Sequence, residues 1–454
     1  MSKVAYLNAE RLKKLIVRHS SELKAIVYSS ENAPRGNTNV ADEGFERLPA
    51  KFSDGTITLY TDADIVIIHG DMSSLFFECN FLTDISALSK WDISGVRYLT
   101  SIFDGCRSLN DISPIQTWGN KLKRMKVIED MFCGCVKLTD ISALLNWDLS
   151  SVESISGMFS ECSSLCDISV LRSWNTKNIR DMSYLFYTCY SLENIFPLSG
   201  WDMQRVEDIE SMFNGCNHLS EISPISNWNV SRVIALNNMF EGCSLTDISP
   251  ISNWDVENVI SMNGMFKCCK SLLNVDALAN WNVCSLNDTS KMFDCCSRLS
   301  DISGLSLWNT ENLQTMNGMF SFCNELTNVD PLQNWDTTFV YDFEELFFSC
   351  SKLSDLSGLS TWNVSRGADF SSMFNSCDSI TDLHSLKNWD VKNASTFKRM
   401  FKNCKNLEDI SALSHWNISE FADKHYMFFG CKKILDRITI YLIKKFKINI
   451  DLLR

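Results

Sequence analysis

The sequence is poor in the features that mark most enzymes and nucleic-acid binders. No run of about 18 apolar residues occurs, so no helical membrane span is expected. Neither GxxxxGK followed by Ser or Thr nor GxGxxG is present, which leaves no phosphate cradle to propose. No two cysteines stand in a CxxC pair, and tetrahedral zinc needs four convergent ligands, so no metal and no cofactor are expected. The six histidines (19, 69, 218, 384, 415, 425) share no register, and no nucleophile elbow accompanies the many serines. Positive charge is also short. With 42 Lys and Arg against 55 Asp and Glu the net charge is −13, the wrong sign for a phosphate-backbone binder. The N-terminus lacks an apolar stretch followed by a small-residue cleavage site, so no signal peptide is expected. The nineteen cysteines then read as reduced thiols, and the expected location is cytoplasmic, either a host cytoplasm or a virion.

What the chain has in abundance is repetition. Its 13 tryptophans, from Trp91 to Trp416, are 27 residues apart except for one gap of 29 (Trp118 to Trp147) and one of 26 (Trp228 to Trp254). Cysteine recurs in the same rhythm from Cys79 to Cys431, and a phenylalanine stands three residues before each of these cysteines. In the unit Met292–Gly318, MFDCCSRLSDISGLSLWNTENLQTMNG, the residues Cys296, Leu299, Ile302, Leu305 and Trp308 follow one another at steps of three. A fixed period of this length marks a stack of units, each of which buries its apolar side against its neighbours. The spacing of Leu313, Met316, Phe320 and Cys323 predicts a helix of about three turns per unit, and the SDIS segment a short strand. The expected fold is therefore α/β, a leucine-rich-repeat-like β/α solenoid of about 14 repeats with a small N-terminal α+β cap and a C-terminal cap.

Residues 1–70 form the expected N-terminal cap. Leu12 to Val27 show largely helical spacing, residues 29–46 read as a loop, and residues 56–70 read as two strands. Residues 71–431 are the repeat array. Residues 432–454 leave the pattern and carry seven basic residues against Asp436 and Asp451, as a basic cap or tail. Two units break the period: WGNKLKRMKVIEDMF (118–132) gains two residues and a basic cluster, and GCSLTD (242–247) loses one.

The pattern MFxxCxxLxDISxLxxWDxSxVxxM, as in MFSECSSLCDISVLRSWNTKNIRDM (158–182) and MFKNCKNLEDISALSHWNISEF (400–421), resembles the BspA-like leucine-rich repeat family. The resemblance implies a leucine-rich-repeat-like fold and a role in adhesion or protein interaction without enzymatic activity. Members of that family occur in bacteria, protists and large DNA viruses. No binding residue is carried over by it.

Two polar ladders run through the repeats. After Trp, 12 of 13 units place Asp or Asn in equal numbers, so the acceptor matters and the charge does not, as in an Asx turn or helix cap. Before the isoleucine position the charge is preferred: Asp84, Asp111, Asp140, Asp167, Asp247, Asp301, Asp355, Asp382 and Asp409, with Asn194, Asn274, Asn328 and Glu221 at the remaining units. This acidic ladder is either a partner-binding face or a row of turn caps. The expected function is a non-enzymatic protein–protein interaction scaffold, with no nucleic acid, membrane span or small-molecule substrate. The alternatives are a structural component of a large assembly, such as a large DNA virus particle, and a surface adhesin.

Overall fold

The computed structural model describes residues 2–434. The basic segment from residue 435 of the expected C-terminal cap lies outside the described residues. The chain divides into two compact units, Met1–Leu219 with Asn227–Asn229, and Ser220–Ser226 with Val230–Arg454.

The first unit begins with strand β1 (Val4–Asn8) and helix α1 (Ala9–Val17). The Asn8 side chain accepts from the Arg11 amide at 3.0 Å and caps the helix, and Leu12 and Ile16 are buried beneath it. The expected continuation of the helix to Val27 does not occur, because Ile26 and Val27 belong to strand β2 (Ala25–Ser29). Their β-branched side chains suit a strand, and α1 has already ended at Val17. Strands β3 (Thr38–Asn39), β4 (Pro49–Ser53), β5 (Thr56–Tyr60) and β6 (Ile65–His69) follow, with β5 and β6 where two strands are expected. One sheet has the order β2-β5-β4-β3, and β1 and β6 pair in parallel in another. The first repeat continues both sheets: β6 pairs with β7 (Trp91–Asp92), and Ala25 bridges to Asp84.

The repeats contain no α-helix; among the described residues α1 is the only one. The expected helix running into MFxxC is replaced by successive tight turns. Met319, Cys323, Leu326, Leu332 and Trp335 each donate their amide to the carbonyl three residues back, at 3.0–3.2 Å. The step of three in the sequence is thus a chain of i→i−3 turns, each delivering one apolar side chain inward. The physical cause is a competing acceptor. The amides of Lys291, Phe293 and Cys295 donate to Asn317, Met319 and Ser321 of the next repeat at 2.7–2.9 Å, while the residues between them bond within the turn. With alternate N–H groups committed to a neighbour, the i→i−4 ladder of an α-helix cannot close.

The SDIS segment becomes a 3₁₀ turn, Ser303–Leu305 in one repeat, and extended pairing shrinks to isolated bridges such as Asn274 to Asp301. A second row of bridges runs from Ala235 through Ser261, Asp288, Thr315, Asp342, Asp369 and Thr396 to Asp423. Inside each unit the aromatic rings stack. Phe76 to Phe213 form one ladder and Phe240 to Phe428 another, with successive centroids 5.4–5.9 Å apart. Every tryptophan is at most 5% exposed. Full burial of such a ring is worth several kcal/mol, at ~25 cal/mol per Å² over ~150–250 Å².

Candidate functional site

The acidic ladder resolves into caps. Each of its nine aspartates accepts, through Oδ1, the amide two residues on, at 2.7–3.0 Å. That amide belongs to the first residue of the 3₁₀ turn, so the side chain closes an Asx turn and starts the next one. Asn194, Glu221, Asn274 and Asn328 make the same bond at 2.7–3.4 Å. The capping bond holds the carboxyls of Asp140 and Asp409 below the usual range, through the amides of Ser142 and Ser411. All nine aspartates except half-buried Asp409 remain exposed. The ladder after tryptophan is built alike: Asp148, Asp202, Asn309 and Asp336, for example, accept from the residue two on at 2.9–3.2 Å.

The sequence reading misses a third ladder. Asp181, Asp208, Asp288, Asp342, Asp369 and Asp423 sit at the bridge positions and accept from the residue two on at 2.7–2.9 Å. Hydroxyl residues Ser154, Ser261, Thr315 and Thr396 hold the same position in other repeats. Lateral bonds tie the row together: Asn317 Nδ2 donates to Asp342 Oδ2 at 3.3 Å and to Glu344 Oε2 at 3.0 Å. Burial, followed by the Asp369 charge, raises the Glu344 carboxyl, and burial raises Asp208. The signal was an Asp, Ser or Thr five residues before the ladder Phe in most repeats, which a helical spacing places on a solvated face.

The turns flanking each ladder phenylalanine are strained. The residues two before and two after it have φ of 52–82° in every repeat, and most are not glycine: Lys291 and Cys295 (56° and 62°), Tyr184 (56°) and Phe322 (58°) among them. Outside glycine this left-handed geometry costs roughly 1–2 kcal/mol per residue. In the first unit these turns line an open cavity of about 300 Å³, bordered by Phe77, Glu78, Asp104, Arg107, Cys133 and Glu161. Burial, then the Asp130, Glu161 and Glu78 charges, lift the Asp104 carboxyl to about 6.

The cysteine ladder is core. The thiols of Cys106 and Cys323, like ten others, donate to the carbonyl of the ladder phenylalanine one repeat earlier, at 2.9–3.3 Å. Burial pushes the Cys323 thiol well above its ordinary range. Among the described residues no cluster of His, Cys, Asp and Glu is arranged to hold a metal, and no helix is long and apolar enough to cross a membrane. The two-residue insertion extends the 3₁₀ helix to Ser113–Lys121, and the indole Nε1 atoms of Trp118 and Trp147 are buried without a hydrogen-bond partner.

A leucine rich cell surface protein from Faecalibacterium prausnitzii A2-165 is similar in structure, with 15% identity, a TM-score of 0.36, and coverage of 79% of this chain and 86% of that one. No curated protein matches the chain. A family described as Mycoplasma protein of unknown function, DUF285, matches four times in tandem, over residues 64–144, 128–247, 219–330 and 321–441. The chain belongs to this family of BspA-like repeats.

Proposed function

We propose that the chain is a non-enzymatic scaffold that binds a protein partner along its acidic ladder, without cofactor or small-molecule substrate. One observation supports this reading above others. Asn274 and Asn328 cap their turns as aspartate does, so capping needs an acceptor but no charge. Nine repeats nevertheless carry the charge on a mostly exposed side chain, against the repulsion of like neighbours. A recurring negative row of this kind steers and orients a basic partner.

Within this reading residues 1–70 are an N-terminal cap, residues 71–431 a solenoid of 14 repeats of period 27, and residues 432–454 a C-terminal basic cap. The pairing of β6 with β7 supports the first of these, since it covers the edge of the first repeat. A ladder of thiols that donate hydrogen bonds is reduced-sulfur chemistry, and it supports a cytoplasmic or virion setting.

The test is Asp301→Asn, Asp355→Asn and Asp382→Asn in one chain, which keeps every cap and removes three charges. Capture of the partner from lysate should weaken at least fivefold. Undiminished capture would exclude this row as the site. Stoichiometric co-sedimentation with a particle would make the protein an assembly component instead.

A further inference from the structure

The turns of the first unit carry a second surface, away from the capping ladder. Tyr184 and Tyr187 meet edge to face with centroids 5.8 Å apart, and Tyr190 follows; Tyr184 is 39% and Tyr190 47% exposed. The Tyr184 hydroxyl donates to Glu210 Oε1 at 2.9 Å, which fixes the ring at the surface. Four repeats earlier Phe77, 45% exposed, lines the cavity described above. Phe77 and Tyr187 occupy the same register position, each directly after a ladder phenylalanine. The backbone between them is continuous: Glu78 donates to Asp104, Gly105 to Cys133, Gly134 to Ser160 and Glu161 to Tyr187, at 2.6–2.8 Å.

The cavity lining holds three carboxylates (Glu78, Asp104, Glu161) against one guanidinium, Arg107. Asp130 adds a further negative charge close enough to act on Asp104. Exposed rings beside carboxylates form a surface whose complement is cationic, because the face of an aromatic ring attracts ammonium and guanidinium groups.

We propose that the strip from Phe77 to Tyr190 is a docking surface for a basic, extended segment of a protein partner. One Arg or Lys side chain enters the cavity between Glu78, Asp104 and Glu161, and the remainder lies across Tyr184, Tyr187 and Tyr190. Four ladder steps of 5.5–5.9 Å separate the two ends. That is roughly 23 Å, the reach of about seven extended residues. This surface is distinct from the acidic capping ladder, so either can fail without the other.

The probe is a fluorescein-labelled heptapeptide of alternating Arg and Gly, titrated with the full chain at low ionic strength and read by fluorescence anisotropy. The triple variant Glu78→Gln, Asp104→Asn, Glu161→Gln should weaken binding at least tenfold. The pair Tyr184→Ser, Tyr187→Ser should weaken it about fivefold. The triple Glu22→Gln, Glu31→Gln, Glu46→Gln removes as many charges from exposed positions of the same unit outside both proposed surfaces, and should stay within twofold of the parent. Absence of binding by the parent chain, or equal loss in both carboxylate triples, would overturn the proposal. If the cavity triple lowers the melting midpoint, the tyrosine pair decides: unchanged affinity there overturns it as well.

Discussion

The indole Nε1 of Trp335 donates to the carbonyl of Leu305, 2.9 Å away and one repeat earlier. The same bond recurs from Trp174 to Trp416 at 2.9–3.3 Å. Each indole therefore does two things: it fills the core between turns, and it satisfies a buried carbonyl of the neighbouring repeat.

The bond can be separated from the burial. Trp335→Phe should cost about 1 kcal/mol, since it removes the shorter of the two hydrogen bonds that the Leu305 carbonyl accepts, the other coming from the Trp308 amide at 3.3 Å. Trp118→Phe, at a buried indole whose nitrogen has no partner, should cost clearly less. Trp335→Ala should cost ~3–5 kcal/mol. Denaturant unfolding of the three variants checks the order, and equal losses for the two phenylalanine variants would refute the role of the bond.

At Asp301 the cap predicts a split between two substitutions. Asp301→Asn keeps the acceptor and should change stability by less than ~0.5 kcal/mol, whereas Asp301→Ala should cost ~1 kcal/mol. Urea titrations of both variants provide the measurement. Equal and negligible effects would mean that the bond to Ser303 contributes nothing.

Thiol reactivity should divide sharply by position. Cys166 is exposed, whereas the ladder cysteines are buried and Cys323 is held protonated by its surroundings. The thiolate is the reactive form, so iodoacetamide should modify Cys166 first and leave the ladder untouched until the chain unfolds. Mass mapping after timed alkylation reads this directly, and early labelling of Cys323 would contradict the burial described.

Asp104 gives the first unit a pH dependence of known sign. Its carboxyl is raised to about 6 from an ordinary 3.8, mainly by burial. A raised acid favours the folded state at low pH, so its contribution is present below about pH 4 and lost as pH rises through about 6. Asp104→Asn should flatten this part of the stability profile. At pH 7 it should stabilise by on the order of 1 kcal/mol, after discounting for the solvent that half covers the group. Thermal melts of both chains between pH 4 and 7 make the comparison, and parallel profiles would exclude Asp104 as the source.

Much of the candidate surface could be read from residue types alone. Equal use of Asp and Asn after tryptophan already pointed to a turn acceptor, and Asp148 and Asn309 make that bond. The third ladder, Asp181 to Asp423, could not be read this way. Its residues stand among apolar positions spaced three and four apart, and such spacing suits a helix and a chain of tight turns equally.

The sequence by itself determined the period, the residues that face inward, and the need of every repeat for a neighbour. A chain that places Phe, Cys, Leu, Ile and Trp every third residue has no other way to bury them. Only the tertiary structure decided how the backbone meets that demand. Whether the Phe293 amide closes a helix or crosses to Met319 depends on a carbonyl 26 residues away, and a local pattern cannot contain it. The same holds for the surface. The cavity beside Asp104 exists because separate repeats were brought side by side.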